Sequence, residues 1–308
     1  MGFFIEVVLG GLMAGVLYAL VALGFVLIFK ASGVFNFAQG AMVLFGALAL
    51  ARLAEWIPAW MPALAPAALP LAFVLAAAIM VALAWLIERL VLRQLVNQEG
   101  IVLLMATLGV SYFLDGLGQT LWGSDIYSID LGIDKEPMLV LDKVFEGGIL
   151  LDRIDIVAAA IAAVLVLALA LFFQRTSTGR ALRAVADDHQ AAQSIGIPLN
   201  RIWVIVWSVA GFVALVSGMV WGSKLGVQFS LAILALKALP VVILGGFTSI
   251  PGAIVGGLII GLGEKLSEVY IGPMVGGGIE TWFAYVVALG CLLIRPQGLF
   301  GERIIDRV

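Results

Sequence analysis

The chain has 308 residues, 63% hydrophobic and 12% charged, with a formal net charge of −3. A soluble domain carries about 45–50% apolar and about 25% charged residues, so a mean hydropathy of +1.15 puts much of this surface against lipid. The slight acidic excess argues against a nucleic-acid partner, which needs clustered Lys and Arg, and the lone Cys291 cannot close an intrachain disulfide.

Counted in membrane spans of about 20 residues, the first apolar run covers Phe3–Phe29 and the second Val34–Leu50. The first is too long, and lacks the basic start, for a cleavable signal peptide. The link "EWIPAWMPALAP" (55–66) sets indole rings beside prolines, which suits a membrane–water interface. Leu69–Ile87 and Ile101–Trp122 are the third and fourth spans. The acidic segment 123–153 is too polar for lipid and too long for a tight turn. A fifth span, Ile154–Phe173, precedes the polar stretch "RTSTGRALRAVADDHQAAQSIGIPLNRI" (175–202). Ile202–Trp221, Leu231–Gly245, Pro251–Leu266 and Trp282–Ile294 complete the series. The expectation is an all-α, polytopic membrane protein of eight or nine crossings. It forms a single transmembrane domain over 1–308, with an external acidic segment (123–153) and a cytoplasmic loop (174–201).

Lys and Arg are retained on the cytoplasmic side. Placing the polar loop inside also gathers Arg89, Arg93, Arg175, Arg180, Arg183, Arg201, Arg295, Arg303 and Arg307 there, opposite the acidic segment.

The sequence has no G-x-x-x-x-G-K-[ST] phosphate loop, no H-E-x-x-H, no CxxC and no Ser–His pair placed as a nucleophile. The only histidine, His189, reads as a solvated helix residue. Neither a catalytic nor a metal-binding residue is expected, and enzyme is the weakest class.

Polar groups and glycines within the apolar runs carry more information. A charge at the bilayer centre costs on the order of 3 kcal/mol or more and usually faces a bundle interior or a water path. Asp115, Lys237 and Glu264 are such charges and candidates for a solute pathway. Asp115 and Lys237 could equally snorkel to headgroups, and Glu264 with Lys265 could sit at a helix end. Asn36 and Gln39 lie three apart, on one face of any helix there; their amides could bond a solute or cross-link helices. Gly11–Gly15, Gly252–Gly256 and Gly257–Gly261 have the spacing that lets helix backbones touch in lipid. Gly245, Gly246, Pro251 and Gly252 should break a helix. Such breaks occur in membranes only where the freed backbone groups face protein or a cavity, as at transporter binding sites.

The polar stretch reads as two short helices. Ser177 or Thr178 can cap the first. Asp187 can cap a second over Asp188–Ile195, with Gly196 ending it and Pro198 preventing its continuation. A helix this short needs a groove to lie in, which a partner's surface would supply; the alternative is a solvated turn.

The blocks "GLMAGVLYALVALGFVLIFKASGVFNFAQGAMVLFGA", "TGRALRAVADDHQAAQSIGI", "LKALPVVILGGFTSIPGAIVGGLIIGLGE" and "RPQGLFG" resemble the LivH-type permeases of branched-chain amino acid ABC importers. One departure is Gln39, where many family members carry His. The resemblance implies half of a translocation pathway, completed by a LivM-like second permease. Two LivG/LivF-like ATPases would bind ATP and Mg2+ in place of this chain, and a periplasmic solute-binding protein would deliver the solute. It further implies that Arg180, Arg183, Asp187, Asp188, His189 and Gly196 form the region coupled to the ATPases. Family substrates extend from branched-chain amino acids to urea, short amides and aromatic acids. An ATP-independent secondary transporter or channel would share the broken spans and buried charges.

Overall fold

A computed structural model describes residues 2–33, 35–95, 98–134, 136–140, 148–187 and 189–301. Helix α1 (Gly2–Ser32) has 31 residues. At about 1.5 Å per residue it exceeds a hydrocarbon core of about 30 Å. Helix α2 (Gln39–Trp60) follows, then a 3-10 turn at Pro62–Ala67, α3 (Ala68–Leu90) and α4 (Gly100–Trp122). Strands β1 (Pro137–Val140) and β2 (Ile149–Asp152) form an antiparallel pair with Pro137 opposite Asp152. Then come α5 (Arg153–Arg175), the short α6 (Ser177–Asp187) and α7 (His189–Ser194), and α8 (Leu199–Leu225). The chain closes with α9 (Ser230–Leu236), α10 (Ala238–Gly245), α11 (Ile250–Tyr270), the single turn α12 (Gly272–Val275) and α13 (Phe283–Ile294).

Among the described residues, seven helices are long and apolar enough to cross a membrane. Residues 230–245 and 283–294 form shorter apolar helices, so the expected eight or nine crossings count these as spans. Two boundaries move from their sequence positions. Gly33 ends α1 with φ +69, so the second helix begins at Gln39 rather than residue 34. That helix also runs on through the expected link to Trp60, with Pro58 in its last turn and Trp56 stacked on Trp60 at 6.0 Å.

The chain divides into two compact units, both discontinuous in sequence. Residues 1–26, 132–170 and 237–308 make one, and residues 27–131 and 171–236 the other. The first is organised around α11. Gly11 and Gly15 of α1 meet Gly257 and Gly261 of α11 backbone to backbone, while α10 folds back on the N-terminal half of α11. In the second, α2 is the central helix, packed by α3, α4, α8 and α9. Its residues from Gln39 to Ala51 are all buried. A Cβ on Gly218 would strike the Val43 carbonyl, and one on Gly46 would lie 3.1 Å from the Leu215 Cα, so α8 rests directly on the α2 backbone. This unit has two chemically distinct ends. One holds the C-termini of α2, α4 and α8, joined by a Tyr127–Val227 bridge. The other holds α6, α7 and the start of α8.

Candidate functional site

The interruption between α1 and α2 is built from side-chain hydrogen bonds. Asn36 Oδ1 accepts from the Ala38 N–H at 3.0 Å, an Asx turn that redirects the chain into α2. Asn36 Nδ2 donates to Gln39 Oε1 at 3.3 Å, and Gln39 Nε2 reaches the Ala210 carbonyl of α8 at 3.5 Å. From α4, Thr107 Oγ1 accepts from the Phe37 N–H at 3.3 Å and lies 3.3 Å from the Phe35 carbonyl. Asn36 and Gln39 are both 0% exposed. Of the two roles their spacing allows, helix cross-linking is the one this conformation displays. Gly40 completes the site: a Cβ there would lie 2.5 Å from the Ala232 carbonyl, so α9 closes over the start of α2.

In the other unit a second polar group sits inside the bundle. Glu264 is 4% exposed in α11 and bonds the hydroxyl of buried Tyr18 in α1. Lys237, Lys265 and Glu280 lie within electrostatic range of its carboxylate. The sequence allowed Glu264 and Lys265 to be helix-end charges, but both lie within α11, which continues to Tyr270. Glu264 turns inward, whereas half-exposed Lys265 pairs with Glu280 at 4.0 Å. Lys237 stands at the junction of α9 and α10. Lys237 and Glu264 therefore fall in the same unit, within electrostatic range of each other. Asp115 falls in the other unit, about two-thirds of the way along α4, partly exposed, with its Oδ1 buried and lacking a hydrogen-bond partner among the described residues.

The helix break at 245–252 is real and tightly closed. Gly245 ends α10 and Gly246 takes φ +101; Ser249 Oγ then accepts from the Gly252 N–H at 3.0 Å, with Pro251 in the first turn of α11. Gly245 and Gly252 touch backbone to backbone. A helix end leaves orphan carbonyls, and here the "RPQGLFG" segment meets them. The Leu299 N–H donates to the Leu244 carbonyl at 2.8 Å, and the Phe300 N–H to that of Gly245 at 3.1 Å. A Cβ on Gly298 would lie 2.6 Å from the Gly246 nitrogen. This capping role escaped the sequence reading, although the segment's paired glycines beyond an apolar helix were its visible signal.

At the polar stretch, Ser177 and Thr178 are not the cap. Thr176 Oγ1 accepts from the Gly179 N–H at 3.1 Å, one residue earlier than expected. Arg183 Nη1 donates to the Phe173 carbonyl at 2.5 Å and Arg180 Nη1 to the Arg175 carbonyl at 3.4 Å, so both arginines serve the C-terminal turn of α5. Leu182 and Val185 of α6 and Ala192 of α7 are buried, and both helices pack on α8. The pair is a built element rather than an extended turn. Asp187 ends α6 and His189 opens α7; Asp188 lies outside the described residues. Gly196, at φ +85, terminates α7 as expected, leaving Ile195 75% exposed at its tip.

Long apolar helices, breaks whose backbone groups are met inside the protein, and buried charges define a multi-pass membrane protein. The chain belongs to the family described as "Branched-chain amino acid transport system / permease component", which matches residues 7–295. It is 27% identical to the high-affinity branched-chain amino acid transport system permease protein LivH of Escherichia coli K12, over 99% of this chain and 98% of that one. It is 28% identical to BraD of Pseudomonas aeruginosa, a permease protein of the same description, over 99% and 98%. A shorter likeness, 32% over 42% of this chain and 37% of the relative, joins it to the autoinducer 2 import system permease protein LsrC of Yersinia enterocolitica. No solved structure matches the chain.

Proposed function

We propose that this chain is one of two permease subunits lining the pathway of an ABC importer in a bacterial inner membrane. Branched-chain or related amino acids arrive on a periplasmic binding protein, a LivM-like permease completes the pathway, and two LivG/LivF-like ATPases bind ATP and Mg2+. The observation that carries this reading is the α6–α7 pair. It packs on α8, exposes Ile195 at its tip, and shares its end of the unit with Arg89, Arg93 and Arg201, the basic side that membrane topology assigns to the cytoplasm. Two helices too short to persist alone, presented on that side, suit insertion into an ATPase groove. Asp187, Asp188 and His189, which follow one another between the two helices in sequence, would make that contact, with Arg180 and Arg183 bracing α6 on α5.

In the pathway, Asn36 and Gln39 control the interruption before α2, and Lys237 and Glu264 a second polar point. The broken segment Gly245–Gly252 gives the first unit a fixed corner. The test is co-purification with the ATPases followed by solute-stimulated ATP hydrolysis. Replacing Asp187, Asp188 and His189 together with Ala should lower both; unchanged assembly and stimulation would remove the coupling role. Uptake assayed with leucine, urea, short amides and an aromatic acid separates the substrate classes.

A further inference from the structure

The arginine-rich end of the second unit carries a pocket that transport leaves unused. It lies between the last turns of α3 with the turn after it and the first turns of α8, and its volume is about 300 Å³. Arg89, Arg93 and Arg201 line it, all exposed. The Arg89 guanidinium sits 5.0 Å from the Trp85 ring centroid, which holds the charge at the pocket. Glu88 also lines it, only 3% exposed, and its Oε1 has no hydrogen-bond partner among the described residues. Three guanidiniums against one carboxylate leave a positive surplus. Asn200, Val204 and Ile205 complete the lining, and exposed Leu86 and Leu90 continue an apolar surface along α3.

We propose that this pocket binds the headgroup of an anionic phospholipid of the phosphatidylglycerol type. Its phosphodiester accepts from Arg89, Arg93 and Arg201, and its acyl chains lie along Leu86 and Leu90. Planar guanidinium forks match phosphate oxygens. Trp85 beside Arg89 suits headgroup depth, where basic pockets between membrane helices collect anionic lipid. Phosphatidylcholine carries its own quaternary ammonium, which the arginines repel, and free phosphate brings no chains. The proposal is independent of the transported solute.

The test is native mass spectrometry of the delipidated full-length chain, titrated with phosphatidylglycerol, phosphatidylmethanol, phosphatidylcholine or inorganic phosphate. Half-occupancy by phosphatidylglycerol is expected at a concentration about thirtyfold below that for phosphatidylcholine, as two basic contacts to one headgroup imply. Phosphatidylmethanol, which carries the same anionic phosphodiester, should bind like phosphatidylglycerol. The double variant Arg93→Gln/Arg201→Gln should lose the preference for phosphatidylglycerol. Equal binding of phosphatidylglycerol and phosphatidylcholine, or a preference surviving in the double variant, would overturn the site. Phosphatidylmethanol binding no more tightly than phosphatidylcholine would show that headgroup charge does not select the ligand, and would overturn the site. Displacement of the lipid by millimolar phosphate would reassign the pocket to free anions. If the double variant does not purify, the lipid series on the unaltered chain decides.

Discussion

Gly15 and Gly257 exclude each other's side chains: a Cβ on either would stand 2.6 Å from the carbonyl oxygen of the other. No real Cβ is accommodated at that distance against backbone, so α1 and α11 approach as closely as two helices can. In lipid, where apolar side chains gain little by meeting one another, this contact is what van der Waals packing can offer. Gly15→Val or Gly257→Val should therefore separate the helices. The expected cost is that of severe overpacking, about 3 kcal/mol or more, read as a lowered unfolding midpoint in detergent. Gly10→Ala is the control, because nothing lies within 4 Å of that position, and it should leave the midpoint unmoved or slightly raised.

Tyr18 and Glu264 secure the same crossing with a hydrogen bond between buried groups. Tyr18→Phe keeps the ring and removes the donor, leaving a buried carboxylate short of a partner at a cost of about 1–3 kcal/mol. Adding Glu264→Leu to Tyr18→Phe removes both polar groups, so the pair should be less destabilised than the separate losses predict. A double-mutant cycle on the unfolding midpoint reads the difference; strict additivity would show that the two do not interact.

Asn36 has the most demanding role in the second unit, since its carboxamide oxygen holds the Ala38 N–H and its nitrogen holds Gln39. Asn36→Ala should cost about 1–3 kcal/mol through the two groups left unpaired in a buried site. It should also reduce uptake while the chain still assembles with its partners. Asn36→Asp preserves the acceptor for Ala38 but gives Gln39 Oε1 no donor, and should impair uptake as well. Wild-type uptake kinetics in both would confine Asn36 to helix joining.

Thr176 caps α6, the first of the two helices proposed to dock on an ATPase. Thr176→Ala should cost about 1 kcal/mol of local stability, read as faster amide exchange over residues 177–186, and should weaken ATPase stimulation. Thr176→Ser keeps the hydroxyl and should restore both.

The hydrophobic pattern located the spans because lipid imposes it on every exposed residue. The small-xxx-small spacing likewise announced the α1–α11 crossing, though not which helices would pair. What stayed hidden depends on tertiary neighbours. Nothing near Thr107 announced that it would reach Phe37 from another helix, 70 positions away. Gly298 and Leu299 were visible as part of a shared motif, but their capping of α10 needs the fold. Glu264 was ambiguous because a carboxylate six residues from a helix end has the same sequence signature whether it turns outward or meets Tyr18. Thr176 was missed for a smaller reason: three hydroxyl residues in a row all fit a cap, and only the backbone bend after Arg175 selects the first.

The central claim is that this permease moves solute only when separate ATPases drive it. The direct measurement is leucine uptake into vesicles holding this chain, its partner permease and both ATPases, with binding protein outside and ATP inside. The account predicts accumulation above the external concentration with ATP, and no uptake when ATP or the binding protein is left out. Uptake that equilibrates leucine across the membrane without ATP would make the chain a channel or secondary transporter, and would contradict it.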